Sequence, residues 1–79
     1  MDAMTLLEFL NKVSNEHIER RNAINNYIDV NKNLNKQQLS FLYYLNYVND
    51  SVIFTINDIK DIINNKKLDV VLEETEEQL

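Results

Sequence analysis

The sequence predicts an all-α fold: a small, helix-turn-helix-like bundle of three to four helices with one very short strand at most. Three observations carry this expectation. The chain contains no glycine and no proline, so the tight turns that join β-strands have only Asn or Asp to draw on. Apolar residues recur at three- and four-residue steps over long stretches, the period of one helix face. The stretch Leu34–Ile63 holds two helix starts of the same design. The same lack of glycine argues against a glycine-rich phosphate loop.

The first element expected is a long helix from Ala3 to about Val30. Ala3, Leu6, Leu10, Val13, His17, Ile24 and Tyr27 step along one face, and Leu7, Phe9, Ile18 and Ile28 widen it. Glu8–Lys12 and Glu16–Arg20 are spaced as i,i+4 ion pairs in the favourable order. Glu19 to Asn22 interrupt the stripe, which reads either as a bend or as a polar seam against another helix. Asn31-Lys32-Asn33 is the expected stop, because Asn tolerates the left-handed conformation that often ends a helix.

Asn35 then reads as an N-cap with Gln38 at N3, a variant of the capping box, with Leu34 and Leu39 placed as a hydrophobic staple. The helix it starts runs to about Val48 and is apolar over more than half its circumference. Asn49-Asp50-Ser51 reads as a turn and Val52-Ile53-Phe54 as a short extended segment. Thr55 and Asp58 repeat the cap signal, with Phe54 and Ile59 as a second staple, and a third helix runs to about Asn64. After a break at Asn64–Lys67, a weak fourth helix follows from Leu68. A single helix from Ile56 to about Gln78 is the alternative. The domain reading is one helical domain over 1–79, divided into 1–31, 34–65 and 66–79.

At 79 residues the chain is near the size where one core barely suffices, and the absence of cysteine excludes disulfides and thiolate metal sites. Self-association or a partner is the remaining source of stability, and the N-terminal helix is the expected homodimer contact. No signal peptide is recognisable and the apolar runs are short, which excludes a membrane span and makes the cytoplasm the default location. Asparagine occurs thirteen times. Its abundance with Ile and Lys suggests an AT-rich coding sequence of a low-GC bacterium or its phages.

Charge is unevenly placed. Residues 1–67 balance eight acids with eight bases, so the formal charge of −5 falls entirely on Asp69, Glu73, Glu74, Glu76 and Glu77. Such a row of carboxylates either solvates a tail or engages a basic protein surface. Tyr43 and Tyr47, with Tyr44 beside them, lie on the more polar side of the second helix. They are either interface anchors or residues covered within the domain.

His17 is the single histidine, and no second ligand type is clustered near it, so it reads as a seam residue and not as a metal ligand. Asp58 and Asp61 are explained by capping and solvation before catalysis, since a chain this short has little room for a desolvated cleft. Arg20-Arg21 and Lys66-Lys67 are the only paired bases, too few to follow a phosphate backbone. No catalytic residue, cofactor or metal is expected.

Leu34, Leu39, Leu42, Leu45, Phe54, Thr55-Ile56-Asn57-Asp58-Ile59 and Ile63 form a pattern that resembles the winged-helix domain of MarR-type regulators, more closely the staphylococcal accessory-regulator (SarA) branch. The resemblance covers about the middle half of the chain and implies a dimeric DNA reader. Its recognition helix would fall on Leu68–Glu77, which carries acids and no base. The wing and the C-terminal dimerisation helix have no counterpart.

The expected function is therefore a non-enzymatic protein-binding regulator or inhibitor, of phage or mobile-element type such as an anti-CRISPR. It would occlude a basic site on a host protein through Tyr43, Tyr44, Tyr47, Glu73, Glu74, Glu76 and Glu77. A small dimeric DNA-binding regulator using Arg20, Arg21, Lys66 and Lys67 is the alternative, and a helical assembly subunit the third reading.

Overall fold

The computed structural model describes residues 4–66. They form two α-helices, α1 (Leu6–Val30) and α2 (Lys36–Lys66), joined by the short segment from Asn31 to Asn35 and packed against each other as a helical hairpin. The all-α class is as expected. Among the described residues there are two helices and no strand, fewer elements than the three to four helices the sequence suggests.

α1 begins at Leu6, not Ala3. Thr5 is its N-cap: the backbone is extended there (φ −70°, ψ 160°) and the hydroxyl oxygen accepts from the Glu8 N–H at 3.1 Å. That satisfies one of the donors a helix start leaves without an intrahelical partner. α1 ends at Asn31 as expected, but by a different device. Asn31 is extended (φ −103°, ψ 95°), and its backbone N–H and side-chain Nδ2 both donate to the Tyr27 carbonyl, at 3.1 and 2.9 Å. The side chain thus adds a second donor to the carbonyl of the last i→i−4 bond, and Asn31 itself is not in the left-handed region.

The start of α2 is the reciprocal box the sequence indicates. The Gln38 N–H donates to Asn35 Oδ1 at 2.8 Å, and the Asn35 N–H donates to Gln38 Oε1 at 3.0 Å. From there α2 runs unbroken for 31 residues. The expected turn at Asn49–Ser51, the extended segment at Val52–Phe54, the second N-cap at Thr55 and the break beginning at Asn64 are all helical. The physical reason lies in what the supposed turn residues do. Asn49 is buried, Asp50 is drawn to Arg21 of α1, and the Ser51 hydroxyl donates to the Tyr47 carbonyl one turn back at 2.9 Å. Asp50 and Ser51 thus find partners from within a helix, and Asn49 faces the helix pair's interior. Phe54, the expected staple, is 70% exposed. The expected fourth helix, and the alternative of a helix reaching Gln78, lie outside the described residues.

The packing register is set by two polar contacts. Arg21 Nη1 donates to Asp50 Oδ1 at 3.2 Å, and Asn46 Nδ2 donates to Asn25 Oδ1 at 2.7 Å. A step of one turn towards the N-terminus on α1 matches a step of one turn towards the C-terminus on α2, so the helices are antiparallel. On α1 the covered positions Leu7, Leu10, Ser14, His17, Arg21, Ile24 and Ile28 alternate steps of three and four. That is the narrow seam of a paired helix, here with a polar middle. The polar-seam reading of the stripe's interruption is the one the structure adopts, and α1 continues through it.

The apolar core is small and sits at the end remote from the connecting loop. Leu10, Ile56 and Ile63 are 9, 5 and 6% exposed, with Leu6, Leu7, Val13 and Val52 packed against them, and no side chain is fully buried. The molecule is elongated, with extents of 48 × 28 × 19 Å. Its long dimension matches the roughly 46 Å expected of a 31-residue helix.

Candidate functional site

Because α1 covers one side of α2, the sides it leaves open define the available surface. α2 carries Phe41, Tyr43, Tyr44, Tyr47, Val48, Phe54, Ile59 and Ile62 as exposed large apolar residues. By contrast α1 leaves only Phe9, Tyr27 and Val30 in that condition. Isolated exposed apolar residues are normal on any protein, whereas a contiguous row marks a contact surface.

The open surface of α2 divides into two faces. Tyr43, Tyr47 and Phe54, four and seven residues apart, point away from α1 and are 59, 69 and 70% exposed. The second face lies about a quarter turn or more from them and from the α1 contact. It is the row Phe41, Leu45, Val48, Val52, Thr55, Ile59 and Ile62, with Tyr44 on its outer margin. Leu45 and Val52 are partly covered by α1 and belong to both the seam and this row.

Shallow apolar grooves follow the second face along the hairpin. Near the loop, Tyr27 and Leu34 face Phe41 and Leu42. Midway, Ala23 and Ile24 of α1 face Leu45 and Val48. Beyond that, Tyr47, Val48, Ser51, Val52, Thr55 and Ile56 line a groove on α2 itself.

Charge is scarce on α2 between Gln37 and Asn57, where Asp50 is the only ionisable acid or base. Asp50 is paired with Arg21, both side chains being about two-fifths exposed at 44 and 38%, and this is the one salt bridge among the described residues. The i,i+4 pairs expected at Glu8–Lys12 and Glu16–Arg20 are not formed within salt-bridge distance. Arg20 Nη1 instead lies 3.5 Å from His17 Nε2.

The candidate residues from the sequence are distributed as follows. Tyr43, Tyr44 and Tyr47 are exposed, and α1 does not cover them. Arg21 is committed to Asp50, and Arg20 is solvent-exposed beside His17. Lys66 is the last described residue of α2; Lys67, Glu73, Glu74, Glu76 and Glu77 lie outside the described residues. His17 is partly buried with Nδ1 2.8 Å from the Val13 carbonyl, so that ring nitrogen carries the proton and Nε2 faces Arg20. Asp58 and Asp61 are exposed in the interior of α2, so Asp58 caps nothing.

Among the described residues no group of three His, Cys, Asp or Glu converges as a metal site, and no helix is long and apolar enough to cross a membrane. Phe54 and Ile59, expected as a staple, and Phe41, Val48 and Ile62, apolar residues at helical spacing, are surface residues. The signal was present in their number: α2 has more apolar positions than one contact with α1 can cover.

No known family model matches the chain, and no curated protein or solved structure shows significant similarity to it.

Proposed function

We propose that this chain is a non-enzymatic protein-binding module, acting as a regulator or inhibitor that covers a surface on a partner protein. One observation carries the reading: Tyr43, Tyr47 and Phe54 are displayed together on the outer face of α2, more than half exposed. Large, stiff, amphipathic side chains of this kind give much contact area at low entropic cost and are enriched at interface anchors. Tyr44 extends the patch towards the neighbouring face. The five acids of residues 68–79 add a strongly negative stretch to a body that is neutral overall. A partner with a basic rim around an apolar patch therefore fits both features, the charge setting encounter rate and the aromatics setting affinity. The reading places the protein in the cytoplasm.

The shallow, apolar character of the grooves supports no catalytic role, and no specific observation favours DNA binding over protein binding. Arg21 is already neutralised by Asp50, and the described bases form no row along either helix.

The test is capture from nuclease-treated lysate on the full chain, followed by binding measurements with the purified partner over a range of salt. A protein retained by the wild type and lost by Tyr43→Ala/Tyr47→Ala/Phe54→Ala, with helicity unchanged, is the expected result. Removal of residues 73–79 should weaken that binding and flatten its salt dependence. Loss of all captured protein on nuclease treatment, or full retention by the triple variant, would reject the proposal.

A further inference from the structure

We infer that the second face of α2 joins two copies of this chain in an antiparallel, two-fold dimer, making a four-helix bundle from two hairpins. This inference uses a different face of α2 from the Tyr43, Tyr47 and Phe54 patch of the partner-binding reading; Tyr44 borders both.

The pattern itself is the first argument. Phe41, Leu45, Val48, Val52, Thr55, Ile59 and Ile62 follow steps of four and three in strict alternation over three heptads, and Thr55 is the only polar member. A seven-residue repeat held this regularly is the requirement for a helix to keep one seam against another helix. α1 does not fill this seam. It lies about a quarter turn away and touches the row only through Leu45 and Val52.

The occupant is argued from charge and symmetry. The row is centred between Ser51 and Val52, so a two-fold axis there sets Phe41 against Ile62, Tyr44 against Ile59 and Val48 against Thr55 of the second copy. The small residues Ser51 and Thr55 lie at and beside the crossing, where helices must approach most closely. No like charges meet in this register. Asp50, the only charge between Gln37 and Asn57, is held by Arg21 on another side, and Asp58 and Asp61 sit beyond the outer margin. The row has no charged member, and Arg20 borders it only from the α1 wall, so a charged partner would gain little there; an identical row is matched to it.

Area and stability agree. The row spans about 32 Å of helix, and two helices 8–10 Å apart present on the order of 600 Å² per copy, near 1,200 Å² in total. That reaches the range of specific interfaces. Ala23, Ile24 and Tyr27 of α1 form the second wall of the groove and extend the contact beyond a single helix. A hairpin whose described core has only three buried apolar residues gains most from such further burial.

The experiment uses the full chain and exploits its lack of cysteine. Sedimentation equilibrium is expected to show twice the 9.4 kDa chain mass. Thr55→Lys and Val48→Glu, at exposed positions, should each weaken the dimer roughly tenfold or more, and mixing the two should restore a heterodimer, because residue 48 meets residue 55. Tyr43→Ala/Tyr47→Ala should leave the dimer intact, which separates this result from the partner-binding test. Oxidation of Ser51→Cys should cross-link two chains, whereas Phe41→Cys should not, its two copies lying about 32 Å apart in an antiparallel pair. A monomeric wild type at high micromolar concentration, or equal cross-linking at positions 41 and 51, would overturn the inference.

Discussion

Arg21 Nη1 donates to Asp50 Oδ1 at 3.2 Å, joining residues 29 apart in sequence and fixing which turn of α1 faces which turn of α2. Both side chains are partly exposed, so solvent screening limits what the pair contributes. A double-mutant cycle with Arg21→Ala and Asp50→Ala, read by urea denaturation, is expected to give a coupling of about 0.2–1 kcal/mol. The swap Arg21→Asp/Asp50→Arg should recover most of the stability that either single reversal removes. Zero coupling with an unrecovered swap would show that the pair does not set the register.

One turn along, the Asn25–Asn46 contact has a different energetic character. Asn46 Nδ2 donates to Asn25 Oδ1, but Asn46 Oδ1 is buried and accepts nothing. An unsatisfied buried acceptor costs about 1–3 kcal/mol. Asn25 is exposed and can turn to water if its partner is removed. Asn46→Leu is therefore expected to stabilise the hairpin by about 1 kcal/mol, raising its urea midpoint. The cost should appear as lost specificity, since a polar residue in a helix seam discriminates against slipped registers. Broader or doubled amide resonances around residues 21–25 and 46–50 would report it.

The caps are the most local contributions to stability. Asn35→Ala removes the acceptor for the Gln38 N–H, and Thr5→Ala removes the acceptor for the Glu8 N–H. Each should cost about 1 kcal/mol in denaturation experiments. Gln38→Ala, which leaves the Asn35 N–H to exposed solvent, should cost less. In hydrogen exchange the Gln38 and Glu8 amides should be the ones whose protection falls, with the middle of each helix little changed.

The capping box at Asn35–Gln38 and the end of α1 at Asn31 were legible because they depend on residues within one turn of each other. Thr5 and Glu8 carry an equally readable box, hidden by extending the apolar stripe back to Ala3. The polar stretch around Arg21 was legible as a seam but not as a register, because its partners Asp50 and Asn46 lie on the other helix. The tyrosine face could be located on α2, although its exposure depended on where α1 packs. The division of α2 failed for a physical reason: Asn49-Asp50-Ser51 and Val52-Ile53 were weighed by local preference, which tertiary contacts override. A longer view held the correction, since Leu42, Leu45, Asn49, Val52, Ile56 and Ile63 keep helical spacing straight through the supposed turn.

That continuity yields the sharpest mutational contrast. Proline is tolerated in many turns but removes a hydrogen bond and clashes within a helix, costing about 3 kcal/mol or more. Ser51 is the sixteenth of the 31 residues of α2, its midpoint. Its hydroxyl bond to the Tyr47 carbonyl is local and dispensable. Ser51→Ala should therefore leave the helical signal at 222 nm and the urea midpoint unchanged or slightly higher. Ser51→Pro should abolish cooperative unfolding and remove much of the helicity, because the small core of Leu10, Ile56 and Ile63 lies on the far side of the break from the loop. Under a helix-turn-helix arrangement with a turn at residues 49–51, Ser51→Pro would instead be close to neutral, so wild-type stability in that variant would refute a continuous α2.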